Sequence, residues 1–153
     1  MKNPLVITAL VMVAISLPAF AQQTASKPPV GVPNDATFFN GKWYKVYLEK
    51  TPWTSAKTKC ERLGGQLAIV PDARTQAFVQ QLSNKLALWL GASEKVEGLW
   101  MWVDGTRMDY TAWSPGEPDN SGNMLNPLLL WKGNWYDDAG KFAVGFICEW
   151  KAK

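Results

Sequence analysis

The chain has 153 residues, the length of one domain at most. Its 16 basic and 13 acidic residues give a formal charge of +3, and loss of Lys2 with a leader leaves 15 basic residues and +2. So small a charge argues against a nucleic-acid partner and against electrostatic membrane docking. Histidine is absent and no G-x-S-x-G or metal-hydrolase pattern occurs, so the sequence does not predict an enzyme.

Residues 1–21 have the layout of a secretory signal. A basic start at Lys2 precedes an apolar run from Leu5 to Leu17, and the segment Ala19-Phe20-Ala21 forms an A-x-A cleavage site. The alternative is a membrane anchor, but the run is shorter than the roughly 20 apolar residues of a spanning helix. We therefore predict a secreted or periplasmic protein without stable membrane insertion.

Residues 22–37 read QQTASKPPVGVPNDAT, with three prolines and no aromatic residue. This composition predicts an extended spacer, followed by one folded domain over residues 38–153. The nine tryptophans of the chain indicate that large aromatic side chains build much of a small core.

The chain contains two cysteines, Cys60 and Cys148. In an exported protein an even count favours a disulfide, because the compartment is oxidising. The alternative is a pair of free buried thiols.

The first half of the domain predicts one strand and two helices. The strand covers Gly41–Leu48. A helix then begins with Thr51 as N-cap and Pro52 at its first position, and Gly64-Gly65 ends it. One face of this helix carries Trp53, Ala56, Cys60 and Leu63.

After an extended run over Gln66–Val70, Asp72 is expected to cap the second helix. The buried face of that helix is predicted to contain Ala77, Phe78, Leu82 and Leu86. Further strands are predicted over Leu88–Ala92, Leu99–Val103 (closed by an Asp104-Gly105 turn) and Val144–Trp150. This order of elements predicts an α+β fold.

A polar stretch from Trp113 to Asp138 contains the candidate metal ligands. Glu117 and Asp119 lie either side of Pro118, and Asp137 and Asp138 follow a Trp-Tyr pair. Carboxylate oxygens gathered on loops are the ligands that calcium prefers. The alternative is an ordinary polar turn, since Ser, Pro, Gly, Asp and Asn are common turn residues.

A series of short segments follows in a fixed order: WTSAKTKCERLGGQLAIV, WLGA, WMWVDG, YTAW, GEPDN, WYD and FICEW. Their order and spacing resemble those of C-type lectin-like domains, over about Phe38 to Lys151. The chain looks like a single-domain bacterial member. The resemblance implies a double-loop fold with two helices, two small antiparallel sheets and a long ligand-binding loop, and a disulfide between Cys60 and Cys148.

The resemblance also implies a calcium and sugar site. Glu117 matches the family's first carboxylate ligand, and Pro118 matches a proline that is cis in the family. The next ligand is Asn in mannose-type members and Asp in galactose-type members, where Gln replaces the Glu. Asp119 therefore gives a hybrid pattern, and Asn120 is a candidate for the missing amide.

Further along, Trp135-Tyr136-Asp137 matches the family's W-N-D. Asp137 is retained, whereas Tyr136 replaces an Asn ligand. The segment Met124-Leu125-Asn126-Pro127 has no carboxylate where the family usually has a Glu. The family's inner disulfide is also absent, so packing alone is expected to hold the loop. Asp138, Asn120 and Asn123 are candidate helpers.

The sequence favours a carbohydrate-binding module that acts on a glycan or glycoconjugate. Calcium is the expected cofactor, held by Glu117, Asp119 and Asp137, and Tyr136 or Trp131 offers a stacking surface for sugar. The alternative is a metal-independent module that binds protein or envelope glycan. A carboxylate pair of glycosidase type is discounted in this family context.

Overall fold

The computed structural model describes residues 27–120, 126–139 and 142–152. The predicted leader, residues 22–26 of the predicted spacer, Asn123 and Met124 lie outside these ranges. Within them, no helix combines the length and apolar character needed to cross a membrane.

The described residues form an α+β fold, as predicted. Its elements are β1 (Thr37–Phe39), β2 (Lys42–Thr51), α1 (Trp53–Arg62), β3 (Gln66–Leu67), α2 (Ala73–Ser83), β4 (Leu88–Val96), β5 (Leu99–Trp102), β6 (Pro127–Trp131), β7 (Asn134–Asp137) and β8 (Val144–Lys151). Strands β6 and β7 were not predicted. Their apolar run LLLW and the WYD segment form a hairpin inside the stretch expected to be mostly loop.

The strands lie in the order β1-β2-β8-β4-β6-β7, with β3 beside β8 and β5 beside β4. All pairs are antiparallel except β4 and β8, which are parallel through Leu88↔Gly145 and Trp89↔Phe146. The two expected sheets are therefore continuous through this parallel pair. A Cβ on Gly145 would lie 2.6 Å from the Tyr47 carbonyl oxygen and 2.7 Å from Leu88 Cδ2, so only glycine fits between β2 and β4.

Helix α1 begins one residue later than predicted. Thr51 is the last residue of β2, where it pairs with Val144, and its carbonyl oxygen accepts a 2.9 Å hydrogen bond from Trp89 Nε1. Sheet pairing holds this backbone extended, so Pro52 takes the N-cap position without a side-chain cap. The predicted stop is confirmed, because Gly64 follows the helix at a φ of +76°.

Helix α2 has the predicted cap, because Asp72 Oδ1 accepts a 2.7 Å hydrogen bond from the Thr75 amide. Its buried face differs from the prediction: Val79 is fully buried, and Phe78 is half-buried against the core. Leu86 is 45% exposed, because Asn84 adopts a left-handed φ of 46° and ends the helix before it.

Tryptophan dominates the core, as predicted. The buried ones are Trp43, Trp89, Trp100, Trp102, Trp135 and Trp150. The Trp135 ring is met edge-on by Trp102, Tyr110 and Trp113, with ring centroids 5.7–5.9 Å apart. This cluster anchors the segment that leads into the long loop to strand β7.

The described end of the predicted spacer contacts the domain. Val32 and Ala36 pack against the cluster around the disulfide, and Lys45 Nζ lies 2.6 Å from Asp35 Oδ1. Val32, Asp35 and Ala36 therefore hold this end of the segment against the domain.

The predicted disulfide is confirmed. Cys60 of α1 and Cys148 of β8 are bonded, fully buried, and have Cα atoms 5.6 Å apart. The bond joins the first helix to the last strand across 88 residues of sequence.

Replacing both cysteines with alanine should lower the free energy of unfolding by about 4–5 kcal/mol, because the unfolded chain then loses the closure of a long loop. Denaturant unfolding with and without reductant measures this. Reductant should destabilise the wild-type protein by a similar amount and leave Cys60→Ala/Cys148→Ala unchanged. Equal midpoints for both proteins under oxidising conditions would contradict the prediction.

Candidate functional site

The segment before Glu117 runs beside strand β7 and positions the loop. Trp113 forms a parallel bridge with Trp135. The Trp135 amide donates to the Ala112 carbonyl oxygen, and the Ser114 amide donates to the Trp135 carbonyl oxygen, both at 2.9 Å. Glu117 in turn donates its amide to the Ser114 carbonyl oxygen at 3.0 Å. The backbone therefore brings Glu117 close to the end of β7.

The Glu117–Pro118 peptide bond is cis, as the resemblance implies. Beyond the proline, the amides of Asp119 and Asn120 donate to Asp137 Oδ1 and Oδ2 at 2.8 and 3.0 Å. Asn120 has a left-handed φ of 52°, which Asn adopts more readily than most residues. This turn directs two successive amides at one carboxylate.

Asp137 is 7% exposed and holds the loop at both of its described ends. Besides the amides of Asp119 and Asn120, its carboxylate accepts a 2.7 Å hydrogen bond from Asn126 Nδ2. Its own amide donates to Glu117 Oε2 at 3.3 Å. The expectation that packing alone holds the loop is therefore wrong, because hydrogen bonds to one buried carboxylate join both ends.

Three carboxylates converge at this point. One oxygen each from Glu117, Asp119 and Asp137 lies within 4.8 Å of the other two. The convergence agrees with the distance expected for a shared ion, while a ligand role for these residues stays a prediction. Residues 116–120 and Asn126 form no strand, as expected.

The electrostatics of the cluster show the cost of bringing these groups together. Burial, hydrogen bonding with Asp137 and repulsion by Asp137 and Asp119 raise the pKa of Glu117 to about 7. Burial also raises the pKa of Asp137. Hydrogen bonds from Glu117, Asn126 and the loop amides outweigh burial and lower that pKa below its usual value. The two carboxyl groups therefore titrate as a coupled pair, with the proton favouring Glu117 over Asp137.

Asn126 is a site residue that the sequence interpretation missed. It is fully buried, and its Oδ1 has no hydrogen-bond partner among the described residues. A buried amide oxygen beside an acidic cluster is of the chemical type that a hard cation takes, so Asn126 joins the candidate ligands. The available sequence signal was an amide residue directly before the apolar run Pro127–Trp131. The sequence interpretation of this segment considered only its lack of a carboxylate.

The donor set fits a hard cation. Carboxylate oxygens and an amide oxygen are what calcium takes, and magnesium accepts fewer protein ligands. Asp138 is not part of the cluster, and its amide donates to the Pro127 carbonyl oxygen at 3.2 Å. The Asn120 side chain is exposed at the loop edge.

Tyr136 lies beside the cluster on the opposite face of the β6–β7 hairpin from Asp137, since alternate strand residues point to opposite faces. Ser114 Oγ donates to the Tyr136 hydroxyl oxygen at 3.1 Å, and the Tyr136 ring centroid is 5.5 Å from that of Trp131. Trp131 itself is at the far end of β6. Sugar contact by Tyr136 stays a prediction.

Comparison with known families agrees with this architecture. The profile of the family described as "Lectin C-type domain" matches residues 49–150. The chain belongs to the C-type lectin family. Among solved structures, the C-type carbohydrate-recognition domain of cow CD23, studied in the presence of a GlcNAc2Man3 oligosaccharide, superimposes with a TM-score of 0.74. The identity is 29%, and the match covers 80% of this chain and 97% of that one.

Two curated relatives are similar in sequence. The hepatic lectin of Gallus gallus is 34% identical over 116 residues, covering 73% of this chain and 56% of the lectin. Perlucin of Haliotis laevigata is 37% identical over 116 residues, covering 70% of this chain and 74% of perlucin. The chain thus spans about half of the hepatic lectin. Both relatives are animal proteins, so the expected bacterial source and periplasmic location gain no support from them.

Asn126→Ala should lower the free energy of unfolding by about 1.5–3 kcal/mol in the presence of a chelator, because buried Asp137 loses a donor to its charge. Asn120→Gly is the matched control. It removes an exposed amide but keeps the backbone donor and the left-handed turn, so it should change stability by no more than about 0.5 kcal/mol. Urea unfolding of both variants measures this, and equal losses would contradict the special role of Asn126.

Proposed function

We propose that this protein is an exported carbohydrate-binding module that holds glycans through a calcium ion at the Glu117, Asp119 and Asp137 cluster. The observation that carries the proposal is the convergence of three carboxylates within 4.8 Å on the family's ligand loop. The family assignment supports sugar binding over catalysis, and we assign the protein no enzymatic activity.

Calcium, when bound, supplies the positive centre to which sugar hydroxyls coordinate. The protein's own residues would hold the ion, with the buried Asn126 oxygen as a fourth candidate ligand. The Asp119 carboxylate accepts hydrogen bonds but cannot donate them, unlike the Asn side chain found in mannose-type members. The exposed side-chain amide of Asn120, at the loop edge, offers the hydrogen-bond donor that the Asp119 carboxylate lacks.

The departures from the family pattern limit affinity. Tyr136 supplies no ligand oxygen of the Asn kind, and its half-buried ring contacts Trp131 and Ser114 instead. Fewer oxygens predict weak calcium binding, in the range of about 10⁻⁴–10⁻³ M that serves extracellular modules.

Calcium should stabilise the fold modestly. An ion that binds only the folded chain, at about 10 mM and with a Kd of about 1 mM, adds roughly 1.4 kcal/mol. The melting temperature should rise by about 4–8 °C, and magnesium should raise it less. The shift should shrink between about pH 7.5 and pH 5.5, because protons compete with the ion for Glu117, whose pKa is raised to about 7.

Asp119→Ala tests the site and leaves Asp137 in place, so the hydrogen bond from the Asp119 backbone amide to Asp137 is kept. The calcium shift should fall by at least half, while Asp109→Ala, another exposed carboxylate, should leave it unchanged. Thermal melting with calcium, with magnesium and with a chelator measures this. Identical midpoints in all three would reject calcium as a ligand.

Sugar capture tests the function itself. The protein should be retained on immobilised mannose, galactose or N-acetylglucosamine in calcium and released by a chelator, and Asp119→Ala should not be retained. Retention that survives the chelator and the Asp119→Ala change would favour the metal-independent module. The presence of Tyr136 at the position of the family's Asn ligand also favours that module. Failure on all three sugars in calcium would contradict glycan binding at this site.

A further inference from the structure

Helix α2 contacts the β6–β7 hairpin through one buried amide side chain. Gln76 is 7% exposed, and both polar atoms of its carboxamide are hydrogen-bonded to the hairpin. Its Nε2 donates to the Gly133 carbonyl oxygen, and its Oε1 accepts from Trp135 Nε1, both at 2.8 Å. A buried amide that donates and accepts on one neighbouring element fixes both the position and the orientation of that element.

A second residue of the same helix contacts the turn of the hairpin. Gln80 lies one helical turn after Gln76, and a Cβ on Gly133 would be 2.5 Å from Gln80 Nε2. Lys132 and Gly133 have left-handed φ values of 49° and 90° and form the two-residue turn of the hairpin. Helix α2 therefore holds the turn from which strand β7 starts.

Trp135 connects this contact to the segment before the ligand loop. Its amide donates to the Ala112 carbonyl oxygen, and its carbonyl oxygen accepts from the Ser114 amide. Within the described residues, the bridge between Trp113 and Trp135 is the only pairing of this segment with β7. The alignment of the segment therefore depends on how firmly Trp135 is held.

Two carboxylates of the cluster are placed by way of Trp135. Glu117 follows Ser114 through a turn in which its amide donates to the Ser114 carbonyl oxygen. Asp137 lies two residues after Trp135 and on the same face of β7, about 7 Å along the strand. The spacing between the two carboxylates therefore depends on the contacts that orient Trp135.

We propose that Gln76 is a positioning residue for the carboxylate cluster, on which it acts through Trp135. The inference rests on the proposed calcium site, because the affinity of that site is the property that Gln76 governs. Calcium takes oxygen ligands at about 2.3–2.6 Å, so a small rotation of Trp135 changes how well Glu117 and Asp137 share one ion. Gln76 orients Trp135 before the ion binds.

A matched control separates positioning from a general contribution to stability. Gln66 is also an amide with a partly buried hydrogen bond, which Nε2 donates to Glu149 Oε1 at 2.9 Å. It lies on β3, which pairs with β8 and not with the hairpin. Gln66→Met and Gln76→Met each replace an amide with an apolar side chain of similar size, and both should lower the melting temperature.

Amide hydrogen exchange in a chelator tests the proposal without any metal. The exchange rates of the Asp119 and Asn120 amides report their hydrogen bonds to Asp137. Gln76→Met should raise both rates by about fivefold, the size expected for a residue that acts through an intervening one. Gln66→Met should leave both rates unchanged.

Calcium titration of the exported protein, followed by the NMR shifts of the same two amides, is the second measurement. The Kd should rise by about fivefold in Gln76→Met and stay unchanged in Gln66→Met. Gln76→Glu should raise the Kd less than Gln76→Met does, because a glutamate oxygen still accepts from Trp135 Nε1. If Gln76→Met does not fold, Gln76→Asn takes its place, since a side chain one methylene shorter cannot reach both partners.

Two results would overturn the proposal. One is unchanged exchange of the Asp119 and Asn120 amides when Gln76 is replaced. The other is a calcium Kd that Gln66→Met raises as much as Gln76→Met does, which would reduce the effect to general stability. Absence of calcium binding by the wild-type protein would instead reject the proposed calcium site, and amide exchange would still decide whether Gln76 places the loop.

Discussion

The functional loop depends on one buried carboxylate. Asp137 accepts hydrogen bonds from the amides of Asp119 and Asn120 on one side and from the Asn126 side chain on the other. A charge buried to this extent is tolerated only with such partners, so the partners and the loop conformation stabilise each other. Members of the family that the sequence resembles have an inner disulfide in this region. Here, hydrogen bonds to a single side chain join the same loop ends.

The same arrangement brings three carboxylates close together, so their negative charges repel one another. The fold of the loop brings Glu117 and Asp119 close to Asp137, and burial, hydrogen bonding with Asp137 and repulsion by both aspartates raise the pKa of Glu117. A proton on Glu117 lowers the repulsion, and the calcium ion that we propose would lower it further by interacting with all three groups. Fold stability and ligand binding are therefore coupled at this site, since one residue serves both.

The two ends of the β6–β7 hairpin differ in chemistry. One end joins the acidic cluster, and the other carries Trp131 and Lys132, with Lys132 Nζ 4.6 Å from the Trp131 ring centroid. The parallel pairing of β4 with β8 needs Gly145, because a Cβ there would meet the Tyr47 carbonyl oxygen and Leu88 Cδ2.

The sequence by itself determined the family, both helices, the Cys60–Cys148 pair and the identity of the carboxylates, because these rest on local periodicity and on motifs in order. It also determined the Asp72 cap, a contact between residues three apart. Only the tertiary structure decided what depends on distant partners. The extended conformation of Thr51 follows from its pairing with Val144, and the position of Asn126 follows from its hydrogen bond to Asp137. The merging of the two expected sheets follows from the parallel pairing of β4 with β8. Long-range pairing sets all three, and no local pattern records which strands will be neighbours.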